Sequence, residues 1–130
     1  MPQYNPPIRD MQFLLHEVLD AVPTLQALPP HAGIDADTMN AVLAEGGKFA
    51  AQVVAPLNLP GDAEGCHLDK ATHVVTAPAG YRQAYAQYVE GGWPVLSCDP
   101  AYGGQGLPLV MNQCFFEMLN SASQAWTMYP

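Results

Sequence analysis

The sequence predicts an all-α domain of four to five helices, interrupted by a short hairpin or loop excursion near residues 61–78. Three observations carry this. Apolar residues recur at helical spacing in four separate segments. Proline and glycine clusters punctuate those segments. A length of 130 residues with 49% apolar content suits one domain with a genuine core.

The first helix is read from Met11, Leu14, Leu15, Val18 and Leu19, spaced i, i+3, i+4, i+7, i+8. Asp10 is its expected N-cap, and Pro23 with Pro29-Pro30 is expected to end the segment. A second helix should begin near Asp35 or Asp37 and bury Met39, Val42, Leu43, Phe49, Ala50 and Val53. Gly46 and Gly47 interrupt it, each at about 1 kcal/mol relative to alanine, which close approach of a neighbouring helix would offset. Pro56 is expected to close it.

Between Gly61 and Gly80 the helical pattern fails, and Leu68 with His73–Thr76 reads as a hairpin around Asp69-Lys70-Ala71-Thr72. Tyr81, Ala84, Tyr85, Tyr88 and Val89 restore helical spacing up to Gly91-Gly92. A long loop, 93–106, is too glycine-rich to be turn filler. The last helix runs from Pro108 to about Tyr129. Gln113, Glu117, Asn120, Ser121 and Gln124 form one polar stripe, and apolar residues from Val110 to Tyr129 cover the rest. A helix so apolar around its circumference is normally buried. The pattern persists to Pro130 without a helix-stop signal, so this helix reads as cut off.

Charge and motifs exclude more than they assign. The net charge is −8 with only 4 Lys and Arg, so no electrostatic footprint for nucleic acid or anionic lipid exists. No apolar run approaches a membrane span, and Met1–Arg9 lacks the features of a signal peptide. The odd count of three cysteines gives no disulfide framework, and the protein is read as cytoplasmic. Cys66-His67, Asp69 and His73 match no zinc pattern, so no metal is expected. His16 and Glu17, adjacent on a helix, do not face each other and read as a solvated polar face. Gly103-Gly104-Gln105-Gly106 has neither the preceding strand nor the Lys-Ser/Thr of a nucleotide loop. Glu117 falls on the polar stripe, and Cys114 lies inside a helix, away from the N-terminus that would stabilise a thiolate. No catalytic residue is assigned, and a charged share of only 12% leaves apolar surface for a partner.

Gly91-Gly92-Trp93-Pro94, followed by Asp99-Pro100-Ala101-Tyr102-Gly103-Gly104-Gln105-Gly106-Leu107, resembles the Tyr-Gly-Gly-x-Gly loop segment of acyl-CoA dehydrogenases. Phe116–Ala122 is similar to the helix that follows it there, and Ala50–Asn58 resembles the family's second helix. Tyr4–Met11 resembles the extension of a bacterial subgroup that includes enzymes similar to 3-methylthiopropanoyl-CoA dehydrogenase.

The resemblance implies residues 1–34 as extension plus first helix, and 35–130 as the family's N-terminal helical domain. The flavin-binding β-domain and the catalytic glutamate would then lie outside this sequence. It further implies α,β-dehydrogenation of an acyl-CoA with FAD in the full-length enzyme and no cofactor on this chain. The partners would be the remaining domains, with homo-oligomers expected. Trp126, Thr127 and Pro130 are implied near the floor of the acyl pocket, and Tyr102, Gly103, Gly104 and Gly106 as the loop motif. Trp126 reads equally as plain core, since aromatics at helical spacing pack. Ala101 departs from the acidic residue common in the family's loop. The alternative function is a stand-alone helical interaction or oligomerisation module.

Overall fold

The computed structural model describes residues 3–128 and 130; Met1, Pro2 and Tyr129, which the sequence places on the last helix, lie outside the described residues. The order is α1 (Ile8–Phe13, running into a π-helical turn, Leu14–Val18), α2 (Ala21–Gln26) and α3 (Ala36–Phe49), followed by a π-turn (Ala50–Val54) and a 3-10 turn (Ala55–Leu57). Then come α4 (Asn58–Glu64), β1 (His67–Leu68), β2 (Val75–Thr76), α5 (Tyr81–Glu90) and α6 (Leu109–Thr127). Residues 8–18 and 36–64 are each helical throughout, so the described residues hold five runs that contain α-helix, three separate 3-10 turns (Pro29–His31, Trp93–Val95 and Pro100–Tyr102) and one hairpin. No described helix is long and apolar enough to cross a membrane.

α3 starts where expected. Asp35 is extended, and its carboxylate accepts the Thr38 amide at 2.7 Å, satisfying one of the amides left unpaired at a helix start. Met39, Leu43, Phe49, Ala50 and Val54 turn inward against Met111, Phe115, Met118, Leu119 and Trp126 of α6. Gly46 permits this approach, because a Cβ there would lie 2.8 Å from Phe115 Cδ2. Met11, Leu15, Ala21 and Ile34 join the same core, and Ile8 and Pro6 press on Gly47. The hairpin pairs His67 with Thr76 and Leu68 with Val75, and Asp69 Oδ1 accepts the amides of Ala71 and Thr72 in its turn.

Several boundaries differ from the sequence reading. α1 begins after Pro7, so Asp10 sits in the first turn and caps nothing. Pro23 lies in the first turn of α2, where a missing N–H is tolerated, and therefore ends no helix. Pro56 is taken into a 3-10 turn and the chain stays helical to Glu64, placing Gly61 inside α4. On α1 only the Met11–Leu15 row is buried, whereas Leu14, Val18 and Leu19 are more than half exposed or at half exposure. α6 is likewise buried along one side, with Leu109, Phe116 and Ala125 exposed. The run from α3 to α4, with Tyr81, Tyr88 and Trp93, covers the buried side of α6, and its opposite side stays exposed among the described residues.

Candidate functional site

The segment between α5 and α6 is built by its own backbone. Gly92 has φ +72°, and its carbonyl accepts the Gln105 side-chain amide at 2.7 Å. Asp99 Oδ1 accepts the Ala101 amide at 2.8 Å and starts a 3-10 turn, Pro100–Tyr102. Gly103 at φ +86° and Gly106 at φ +68° then reverse the chain, in a conformation side chains rarely adopt. The amides of Gly104, Gln105, Gly106 and Leu107 donate to the carbonyls of Asp99, Val95, Cys98 and Leu96 at 2.9–3.0 Å. Gly104 is pressed so close that a Cβ would stand 2.0 Å from the Cys98 carbonyl oxygen. The loop amides are thus used internally and offer no phosphate cradle. Tyr102 projects from the loop, 90% exposed.

At the other end of α6, Trp126 is fully buried. Its Nε1–H donates to the Tyr81 carbonyl at 3.2 Å, and its ring packs 6.1 Å from Phe49 and edge-on 5.9 Å from Tyr88. Trp93 stacks on Phe115 at 4.3 Å, extending the aromatic cluster toward the loop. Thr127 and Pro130 line a cavity of about 240 Å³ with Tyr88, Pro94, Phe115 and Leu119. Ala125 and Met128 line a second, more apolar cavity of about 500 Å³ with Gly61, Cys66, Pro78 and Tyr81. Burial, and then the neighbouring Tyr85, raises the Tyr88 phenol, so it stays a neutral hydroxyl.

The structure therefore groups Trp126, Thr127 and Pro130 at the end of α6, and Tyr102, Gly103, Gly104 and Gly106 on the separate loop. Glu117 is exposed. Cys114 is half-buried, and burial followed by the Glu117 carboxylate pushes its thiol up, away from a reactive thiolate. His16 is not simply solvated, since its Nε2 bonds Asn40 Oδ1 of α3 at 2.9 Å. Among the described residues no three His, Cys, Asp or Glu side chains converge on a metal-sized site. Tyr88 also lines the smaller cavity, although the sequence reads it only as part of a helical face. Tyr88 stands seven residues after Tyr81 on the same helical row, a periodicity that marks burial and not a cavity.

No family model matches the chain. Over 127 residues, 98% of its length, it is 38% identical to 3-methylmercaptopropionyl-CoA dehydrogenase of Ruegeria pomeroyi. Over 129 residues it is 30% identical to the broad-specificity linear acyl-CoA dehydrogenase FadE5 of Mycobacterium tuberculosis. Similarity to these two acyl-CoA dehydrogenases over nearly the whole chain supports an acyl-CoA dehydrogenase fragment. The chain spans 21% of the length of each of these relatives. In this chain the glycine loop and the end of α6 are joined by one aromatic core, from Trp93 through Phe115 and Phe49 to Trp126.

Proposed function

We propose that the chain is the N-terminal helical domain of a cytoplasmic, FAD-dependent enzyme that α,β-dehydrogenates an acyl-CoA thioester. Residues 35–130 are that domain, and residues 1–34 are an extension with the first helix. The chain supplies one wall of the acyl pocket and a surface for the remaining domains. The observation that carries this reading is the whole-length similarity to two acyl-CoA dehydrogenases. The small cavity bounded by Thr127, Pro130 and Tyr88, with Trp126 behind it, supports a pocket wall of aromatic and aliphatic groups. Flavin is expected to be held by the rest of the enzyme; in support, the amides of Gly104, Gln105, Gly106 and Leu107 are already bonded to carbonyls.

A chimera tests the proposal: this chain replaces the corresponding segment of the Ruegeria pomeroyi dehydrogenase. The chimera is expected to keep bound flavin and to reduce an electron acceptor when given an acyl-CoA. The isolated chain is expected to do neither. A folded, flavin-loaded chimera without acyl-CoA turnover would reject the pocket-wall role and favour an interaction module. Flavin retained by the isolated chain would overturn the placement of the cofactor.

A further inference from the structure

The last turn of α6 is a new start and not a continuation. Ser123 has φ −162° and ψ 98°, an extended backbone inside an otherwise helical run. Its Oγ accepts the Trp126 amide at 3.4 Å, and Thr127 Oγ1 donates back to the Ser123 carbonyl at 2.8 Å. An extended serine whose oxygen takes the amide three residues on has the geometry of an N-cap. Both partners are buried, Ser123 at 1% exposure and Thr127 at 4%.

Nothing in Ala122-Ser123-Gln124-Ala125 forces a break, for the stretch holds neither proline nor glycine. Alanine and glutamine favour continuing the helix. The break is therefore held by the bonds of Ser123 and by what the re-aimed turn reaches. That turn carries the Trp126 indole to the Tyr81 carbonyl, 45 residues away in sequence. It also sets Thr127 on the smaller cavity, and Ala125 with Met128 on the larger. A straight helix would rotate these side chains away from those places, since each residue's direction is fixed by the turn before it.

We propose that Ser123 is a positioning residue: by capping the re-aimed turn it fixes Trp126 and Thr127, and through them the end wall that selects acyl chain length. This rests on the pocket-wall reading above, and the test separates the two. Trp93→Phe leaves Trp126 as the remaining tryptophan of the two in the chain, so its emission reports its own burial. In that background Ser123→Ala is expected to shift the emission to the red with helical circular dichroism retained, and Ser123→Thr to restore it. Should Ser123→Ala fail to fold, Ser123→Gly takes its place, keeping the extended backbone while removing Oγ.

In the chimeric enzyme, Ser123→Ala is expected to change the ratio of kcat/KM between a short and a long acyl-CoA by roughly tenfold or more, with flavin content unchanged. Unchanged emission overturns the proposal. A red shift with a kcat/KM ratio within about a factor of two of the parent overturns the selection role. If the parent chimera has no turnover, the pocket-wall reading fails, while emission still decides whether Ser123 places Trp126.

Discussion

At Gly46 and Gly47, adjacent on α3, an added methyl group meets different neighbours. At Gly46 it would stand 2.8 Å from Phe115 Cδ2, and that ring is held by Trp93 stacked at 4.3 Å and by Phe49. Overpacking costs about 1–3 kcal/mol, and alanine returns about 1 kcal/mol of helix propensity. Gly46→Ala should therefore lower stability by up to about 2 kcal/mol in chemical melts, and by more than Gly47→Ala. At Gly47 the closest atom is the terminal methyl of Ile8 at 2.9 Å, which can swing aside. Gly47→Ala should stay within about 1 kcal/mol of the parent. Equal losses at both sites would contradict the fixed position of Phe115. Cys114 gives a second check at this scale. With its thiol raised by burial and by Glu117, it needs a higher pH than an ordinary thiol to form thiolate. Mass-spectrometric mapping of iodoacetamide labelling should find the exposed Cys66 and Cys98 modified first as pH rises, and Cys114 last. Labelling of Cys114 at neutral pH, on par with the others, would refute its burial.

Among the elements, the loop between α5 and α6 depends on one contact more than on its turns. A Cβ at Gly104 would meet the Cys98 carbonyl oxygen at 2.0 Å, and backbone on both sides leaves nothing free to move. Gly104→Ala should destabilise the chain by at least about 3 kcal/mol. It should also deprotect the amides of Gln105, Gly106 and Leu107 in hydrogen exchange, since these donate across the loop to Val95, Cys98 and Leu96. At Gly103 space is open and only the positive φ resists, so Gly103→Ala should cost roughly 1–2 kcal/mol. If the two variants melt alike, the close packing at Gly104 is wrong. Much at this scale is legible in the sequence. The Asp35 cap, the hairpin around Asp69 and the stop at Gly91-Gly92 are set by local chemistry, and local chemistry is what a sequence displays. Pro23 misleads because proline fits the first turn of a helix as well as its end, and Pro56 because a π-turn passing into a 3-10 turn carries the helical chain through it. The break at Ser123 leaves no local signal, because contacts with Tyr81, Phe49 and Tyr88 hold it and those partners are distant in sequence. For the same reason Trp126, Thr127 and Pro130 could be singled out only by likeness to a family, and Tyr88 reads only as part of a helical face.

Across the whole molecule, apolar surface and charge pull in opposite directions. Phe13, Leu14, Val18 and Leu19 expose one continuous side of α1, each at 50–58%. Leu109 and Phe116 do the same on α6, and Leu68, Val74 and Val75 on the hairpin. Side chains of this size left in water favour association with another surface. Against this stands a net charge of −8, which makes like copies repel. The two terms respond differently to salt. Raising ionic strength from about 0.01 M to about 0.1 M shortens the Debye length from roughly 30 Å to roughly 10 Å, which weakens the repulsion and leaves the hydrophobic term in place. The isolated chain should therefore self-associate more strongly as salt rises over this range, read by sedimentation velocity at fixed protein concentration. Association through ion pairs would weaken instead. Leu14→Gln with Val18→Thr keeps the charge at −8 and touches no buried side chain, so the fold should be retained while association falls. An unchanged association constant in that double variant would move the contact off α1. A monomer at every salt and protein concentration would show that these faces do not join copies of the chain, and that the proposed dehydrogenase must cover them with its other domains alone.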